Sequence, residues 1–175
     1  MTADRYTLVQ KVLHWIVALA VIGALGAGSA LDWIGDGALK NQLYALHKAT
    51  GMLILGLMIL RVGMRLVFGA PPLSPEVPAW QRMAASASHF LLYALILAMP
   101  VVGWAATSAF PAPIPFFGLF DVPPLIGADR DLSKQLFRIH GVMGKAILAL
   151  VLIHIGAALH HGLIEKDGVL RRMWF

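Results

Sequence analysis

The sequence predicts an all-α membrane protein, a four-transmembrane-helix bundle with histidines buried at two depths. Three observations predict it. First, 59% of the 175 residues are hydrophobic and 13% charged, with a mean hydropathy of +0.76. Soluble domains average about 45–50% apolar and about 25% charged. Second, four apolar runs each reach the roughly 20 residues that a helix needs to cross a bilayer. Third, seven histidines are present, several of them inside those runs.

The first run covers about 8–31 and the second about 43–68. The third covers about 84–109, with Pro100 as an expected kink, and the fourth about 133–164. The connections are 32–42, the Pro-rich 69–78 and the longer Pro-rich 110–131. Residues 1–175 read as a single domain without an internal repeat. The first run has the basic start and small-residue end of a signal peptide, but it exceeds a usual h-region, so a permanent span is expected.

Lys and Arg divide eight to six between the two sides. The side with Arg5, Lys11, Arg61, Arg65, Arg82, Lys166, Arg171 and Arg172 is expected to be cytoplasmic, with both termini. Trp15, Trp80 and Trp174 then fall near the inner interface, and Trp33 and Trp104 near the outer. The net charge of +5 sits at the ends of apolar runs, so membrane topology accounts for it and no nucleic-acid partner is expected. With no Cys in the chain, thiolate-bound clusters and disulfides are excluded.

Ionisable side chains in hydrocarbon are costly and usually functional. On the fourth helix, His140 and His154 lie 14 residues apart, or about 21 Å along the axis and only about 40° short of four full turns. They share a face, one at each side of the membrane. His47, at the start of the second helix, matches His140 in depth, and His14, at the start of the first, matches His154. Two bis-His pairs stacked in a bundle are what two noncovalent b-type haems require, with neutral imidazoles from facing helices binding each iron. Gly51, Gly141 and Gly144 lie near the outer pair, and Gly23 and Gly156 near the inner depth, where small residues admit a macrocycle or simply pack helices. A closed zinc site needs three or four donors at one depth. The spacing supplies two, and no run contains an acid.

His89 starts the third helix on the cytoplasmic side, as a propionate partner, a quinone contact or packing. His160 and His161 close the fourth. His161 follows His154 by seven residues and projects from nearly the same face, either as a solvated interfacial histidine or where a quinone head would exchange protons. Lys48, Arg138 and Lys145 surround the outer pair. They are expected to hold propionates or steer a small anion, against the plain reading of a solvated face.

Several short motifs form an ordered set. They are Lys11-x-x-His14-Trp15; Leu46-His47-Lys48-Ala49-Thr50-Gly51, ending Leu60-Arg61…Arg65-Leu66; Ala98-Met99-Pro100…Gly103; His140-Gly141…His154; and His161…Lys166-Asp167…Leu170-Arg171-Arg172-Met173. Together they resemble the prokaryotic cytochrome b561 family over essentially the whole chain, with a close match to its superoxide:ubiquinone oxidoreductase members. The chain departs from them at Ile139, where an aromatic is expected, and at 160–161, where only His161 keeps the spacing from His154. The resemblance implies a multi-pass, di-haem protein of the bacterial inner membrane, with ligands at His14, His47, His140 and His154. It further implies superoxide, or another periplasmic one-electron donor, as the reductant and ubiquinone as the acceptor. Two rivals remain: a cytochrome b anchor subunit passing electrons from a hydrogenase or dehydrogenase partner to quinone, and a non-redox membrane protein.

Overall fold

The computed structural model describes residues 5–72 and 77–175. The expected connection 69–78 therefore lies partly outside the described residues. The helices are α1 (Leu8–Ala30), α2 (Ala38–Phe68), α3 (Ala79–Ala109) and α4 (Arg130–His160). All four are long and apolar enough to cross a membrane, α4 together with the π-helical turn His161–Glu165 that continues it. Each helix packs against its neighbour in sequence, as short connections dictate. Both termini therefore lie at one end of the bundle, the termini end.

Three helices begin earlier than their apolar runs, at Ala38, Ala79 and Arg130 instead of about 43, 84 and 133. The added turns are polar and amphipathic, and hydropathy does not register them. Start signals do. Thr7 and Gln10 form a capping box on α1. Asp129 caps α4, its carboxylate accepting from the amides of Asp131 and Leu132. Beside this cap the fully buried Ser133 hydroxyl donates to the Ala106 carbonyl at 3.0 Å, which fastens α4 to the end of α3. The α3 helix continues through the buried Pro100.

The connection between α3 and α4 holds a hairpin that hydropathy did not suggest. Its strands are β1 (Pro115–Phe116) and β2 (Phe120–Asp121), in antiparallel register Pro115 to Asp121. Three residues, 117–119, join the strands; the Leu119 amide donates to the Phe116 carbonyl at 3.0 Å, and the two residues inside that turn, Phe117 and Gly118, both adopt positive φ. This is the hairpin end of the bundle. Lys48 of α2 donates to the Pro113 carbonyl and Trp104 of α3 to the Pro123 carbonyl, so the loop is held down over both helices.

At the termini end the chain after α4 returns to α1. Lys11 donates to the Trp174 carbonyl at 2.8 Å and the Trp15 indole to the Met173 carbonyl at 3.0 Å. The Trp15 and Trp174 rings meet edge to face at 5.5 Å. The apolar core occupies the middle of the bundle: Leu13, Val17 and Val21 of α1, Ile54 and Met58 of α2, and Ile147 of α4.

Candidate functional site: two histidine pairs at two depths

The structure brings together both pairs that spacing predicts. Near the hairpin end, His47 of α2 faces His140 of α4 with ring centres 6.1 Å apart and planes at 77°. Near the termini end, His14 of α1 faces His154 of α4 at 6.3 Å and 75°. Two imidazoles joined to one metal by bonds of about 2 Å, with roughly 1.1 Å from ring centre to nitrogen, put their centres about 6.2 Å apart. Both pairs match that value. His89 and His154 approach to 5.4 Å, which is too close for the same arrangement, so His89 stands beside the pair. Among the described residues no three His, Asp or Glu side chains form a metal-holding group. The donors come in twos, as axial haem ligation needs.

Glycines fix the ring positions at the hairpin-end level. A Cβ on Gly28 of α1 would lie 3.1 Å from His47 Cε1, and one on Gly103 of α3 would lie 2.9 Å from His140 Cε1. Each imidazole is backed by a neighbouring helix at a glycine, and at Gly103 a Cβ would force the ring to move. The glycines that spacing suggested behave differently. Gly51 lies one turn along from His47 on its face, and no atom stands within 4 Å of where its Cβ would be. A Cβ on Gly144 would touch Met99. Gly23 and Gly156 face away from His14 and His154, at about 180° and 200° around their helices. They are packing residues at most.

The two levels form one register on all four helices. The interval of fourteen joins His14 to Gly28, His47 to Arg61, His89 to Gly103 and His140 to His154. Midway, seven residues from each end, stand Val21, Ile54, Ile96 and Ile147, all belonging to or packed on the core cluster. Seven residues are nearly two turns, so each helix shows the same face to both sites and to an aliphatic layer between them. Hydropathy passes over Gly28, Gly103 and Arg61, but the repeated interval would have found them.

Arg61 is the addition at the termini-end level. Its Nη2 donates to His14 Nδ1 at 2.9 Å and its Nε to the Tyr93 hydroxyl at 3.0 Å, and the guanidinium lies 5.5 Å from the centre of the Tyr93 ring. Beyond α4, His161 pairs through Nδ1 with the Asp167 carboxylate at 2.6 Å, and His160 with Glu165 at 3.2 Å. Burial acts to raise the Asp167 carboxyl, but the Val169 amide and His161 together hold it below its ordinary value.

The basic residues near His140 sit on other faces of their helices. Arg138 and Lys145 lie roughly 160° and 140° around α4 from His140 and are exposed. Both stand as exposed charges on the rim. Lys48 points to the Pro113 carbonyl and serves first to tie down the loop.

A sequence model described as "Prokaryotic cytochrome b561" matches residues 5–175. Two Escherichia coli K12 proteins, cytochrome b561 homologs 2 and 1, are each 32% identical. The alignments cover 98% and 97% of this chain and 92% and 97% of theirs. A Yersinia pestis protein named "Probable superoxide oxidase CybB" is 29% identical over 97% of this chain and 95% of its own. The family implies b-type haem, which the bis-imidazole geometry and glycine-backed rings fit. The chain belongs to the prokaryotic cytochrome b561 family and is a multi-pass bacterial membrane protein of electron transfer.

Proposed function

We propose that this protein binds two haem b groups, one between His47 and His140 and one between His14 and His154. It would oxidise superoxide at the periplasmic face and reduce ubiquinone in the inner membrane. The observation that carries the reading is the pair of ring separations, 6.1 and 6.3 Å, at two levels of a spanning bundle. The superoxide assignment follows the name of the Yersinia pestis relative, a probable superoxide oxidase. Both termini lie in the cytoplasm, so the hairpin end is periplasmic.

Bound haem supplies reversible one-electron chemistry. The chain does the rest. Helix-borne imidazoles hold the irons at fixed positions, and the middle layer of Val21, Ile54, Ile96 and Ile147 keeps water from the space between the two sites. Arg138 and Lys145 are the exposed cations of α4 near the hairpin end that would steer an anion, whereas Lys134 is paired with Asp131 at 2.9 Å. At the other end, His161 is held through Nδ1 by Asp167, which leaves Nε2 to pass a proton to a quinone oxygen, with His89 as the second contact. Two superoxide ions give two dioxygen molecules, and their two electrons with two protons convert ubiquinone to ubiquinol.

The test is a reduced-minus-oxidised spectrum with a haem-to-protein ratio, followed by addition of superoxide and ubiquinone to the isolated protein. A ratio near two and quinol formation support the proposal. Haems that stay oxidised under superoxide leave an electron-carrying subunit fed by a partner dehydrogenase. A ratio near zero removes the haem assignment altogether.

A further inference from the structure

Arg61 carries a positive charge among the spans, and among the described residues no carboxylate pairs with it. Within α1, α2 and α3 there is no Asp or Glu, and the one acid in α4, Asp131, is in its first turn at the opposite end. A guanidinium stays protonated and only donates. Tyr93 takes its Nε, His14 takes one Nη2 bond, and the buried Nη1 has no hydrogen-bond partner among the described residues. A charged group at this depth is expected to have a functional partner.

Its bond to His14 constrains the chemistry. Because Arg61 donates, His14 Nδ1 must accept, and the proton of a neutral imidazole then sits on Nε2. Metal ligation through Nε2 needs the opposite tautomer, with Nδ1 protonated and donating. Arg61 and a metal on Nε2 therefore cannot both be satisfied by a neutral His14. Tyr93 keeps the guanidinium tethered whichever way this resolves.

We infer that loading the termini-end haem releases Arg61 from His14 and pairs its guanidinium with a carboxylate of that haem, where its charge raises that haem's reduction potential. The inference rests on the di-haem reading above. A fixed cation beside a haem favours the reduced form, which carries less positive charge. If Arg61 kept its bond, it would instead favour a deprotonated His14, a stronger donor that lowers the potential. The two arrangements predict opposite signs.

The experiment is spectroelectrochemical titration of purified quinone-free protein, comparing wild type with Arg61→Gln and Arg61→Lys. The potential of the His14–His154 haem is expected to fall in Arg61→Gln, to return most of the way in Arg61→Lys, and the other haem's to stay unchanged. A rise or no change in Arg61→Gln overturns the inference. If Arg61→Gln loses that haem, recovery of both haem and potential in Arg61→Lys supports the charge pairing, and loss in both variants overturns it. A shift that appears only when ubiquinone is added assigns the guanidinium to quinone and also overturns it. A wild-type haem ratio near zero would sink the underlying di-haem reading instead, and the ratio is measured first.

Discussion

A methyl group on Gly103 would meet the His140 ring at 2.9 Å, and one on Gly28 the His47 ring at 3.1 Å. Contact at 2.9 Å forces the imidazole to move, whereas at 3.1 Å a few tenths of an ångström relieve it. Gly103→Ala is therefore expected to reduce the haem-to-protein ratio from about two toward about one, because a bis-imidazole site needs both rings in place. Gly28→Ala should do so less, and pyridine haemochrome analysis of both variants decides the order. Gly51 sharpens the test, since no protein atom opposes its Cβ. Loss of haem in Gly51→Ala but not in Gly23→Ala would mean that a macrocycle fills the space beside His47. Equal haem content in both would count against a ring there.

At the scale of elements, the tail after α4 joins two helices that sequence neighbours do not connect. Trp174 meets Trp15 edge to face, an interaction worth about 0.5–1.5 kcal/mol beyond the area it buries. Trp174→Ala should lower the thermal midpoint and expose the tail to protease, with both haems retained. The turn that starts the tail depends on Asp167, which accepts from the Val169 amide and His161. A carboxyl held below its ordinary value stabilises the fold when ionised. That contribution is present above the unfolded value near 3.8 and is lost as pH falls through the lowered one. The tail should therefore become protease-sensitive only in strong acid in the wild type. Asp167→Asn should be sensitive at neutral pH with no further acid step. An acid step of the same size in Asp167→Asn would refute this account of the turn.

At the scale of the whole molecule, two sites and the layer between them share one seven-residue register on four helices. Inserting one alanine between Leu148 and Ala149 turns everything beyond it by about 100° and carries His154 off the shared face. The expected product keeps the His47–His140 haem and loses the other, and a ratio still near two would disprove the register. Much of this was legible in sequence because membrane helices are long, apolar and periodic. The four spans followed from hydropathy, and the histidine pairing followed from fourteen residues being close to four turns. The polar first turns of α2, α3 and α4 were not legible, since hydropathy measures what enters lipid and not where a helix starts. The hairpin over α2 rests on backbone angles at Phe117 and Gly118 that leave little trace in composition. The sequence by itself determined which depth each histidine occupies, because rise and rotation per residue are fixed by the helix. Only the tertiary structure decided what stands behind each ring, because lateral neighbours are set by which helices pack together. That placed Gly28 behind His47, Gly103 behind His140 and Arg61 against His14.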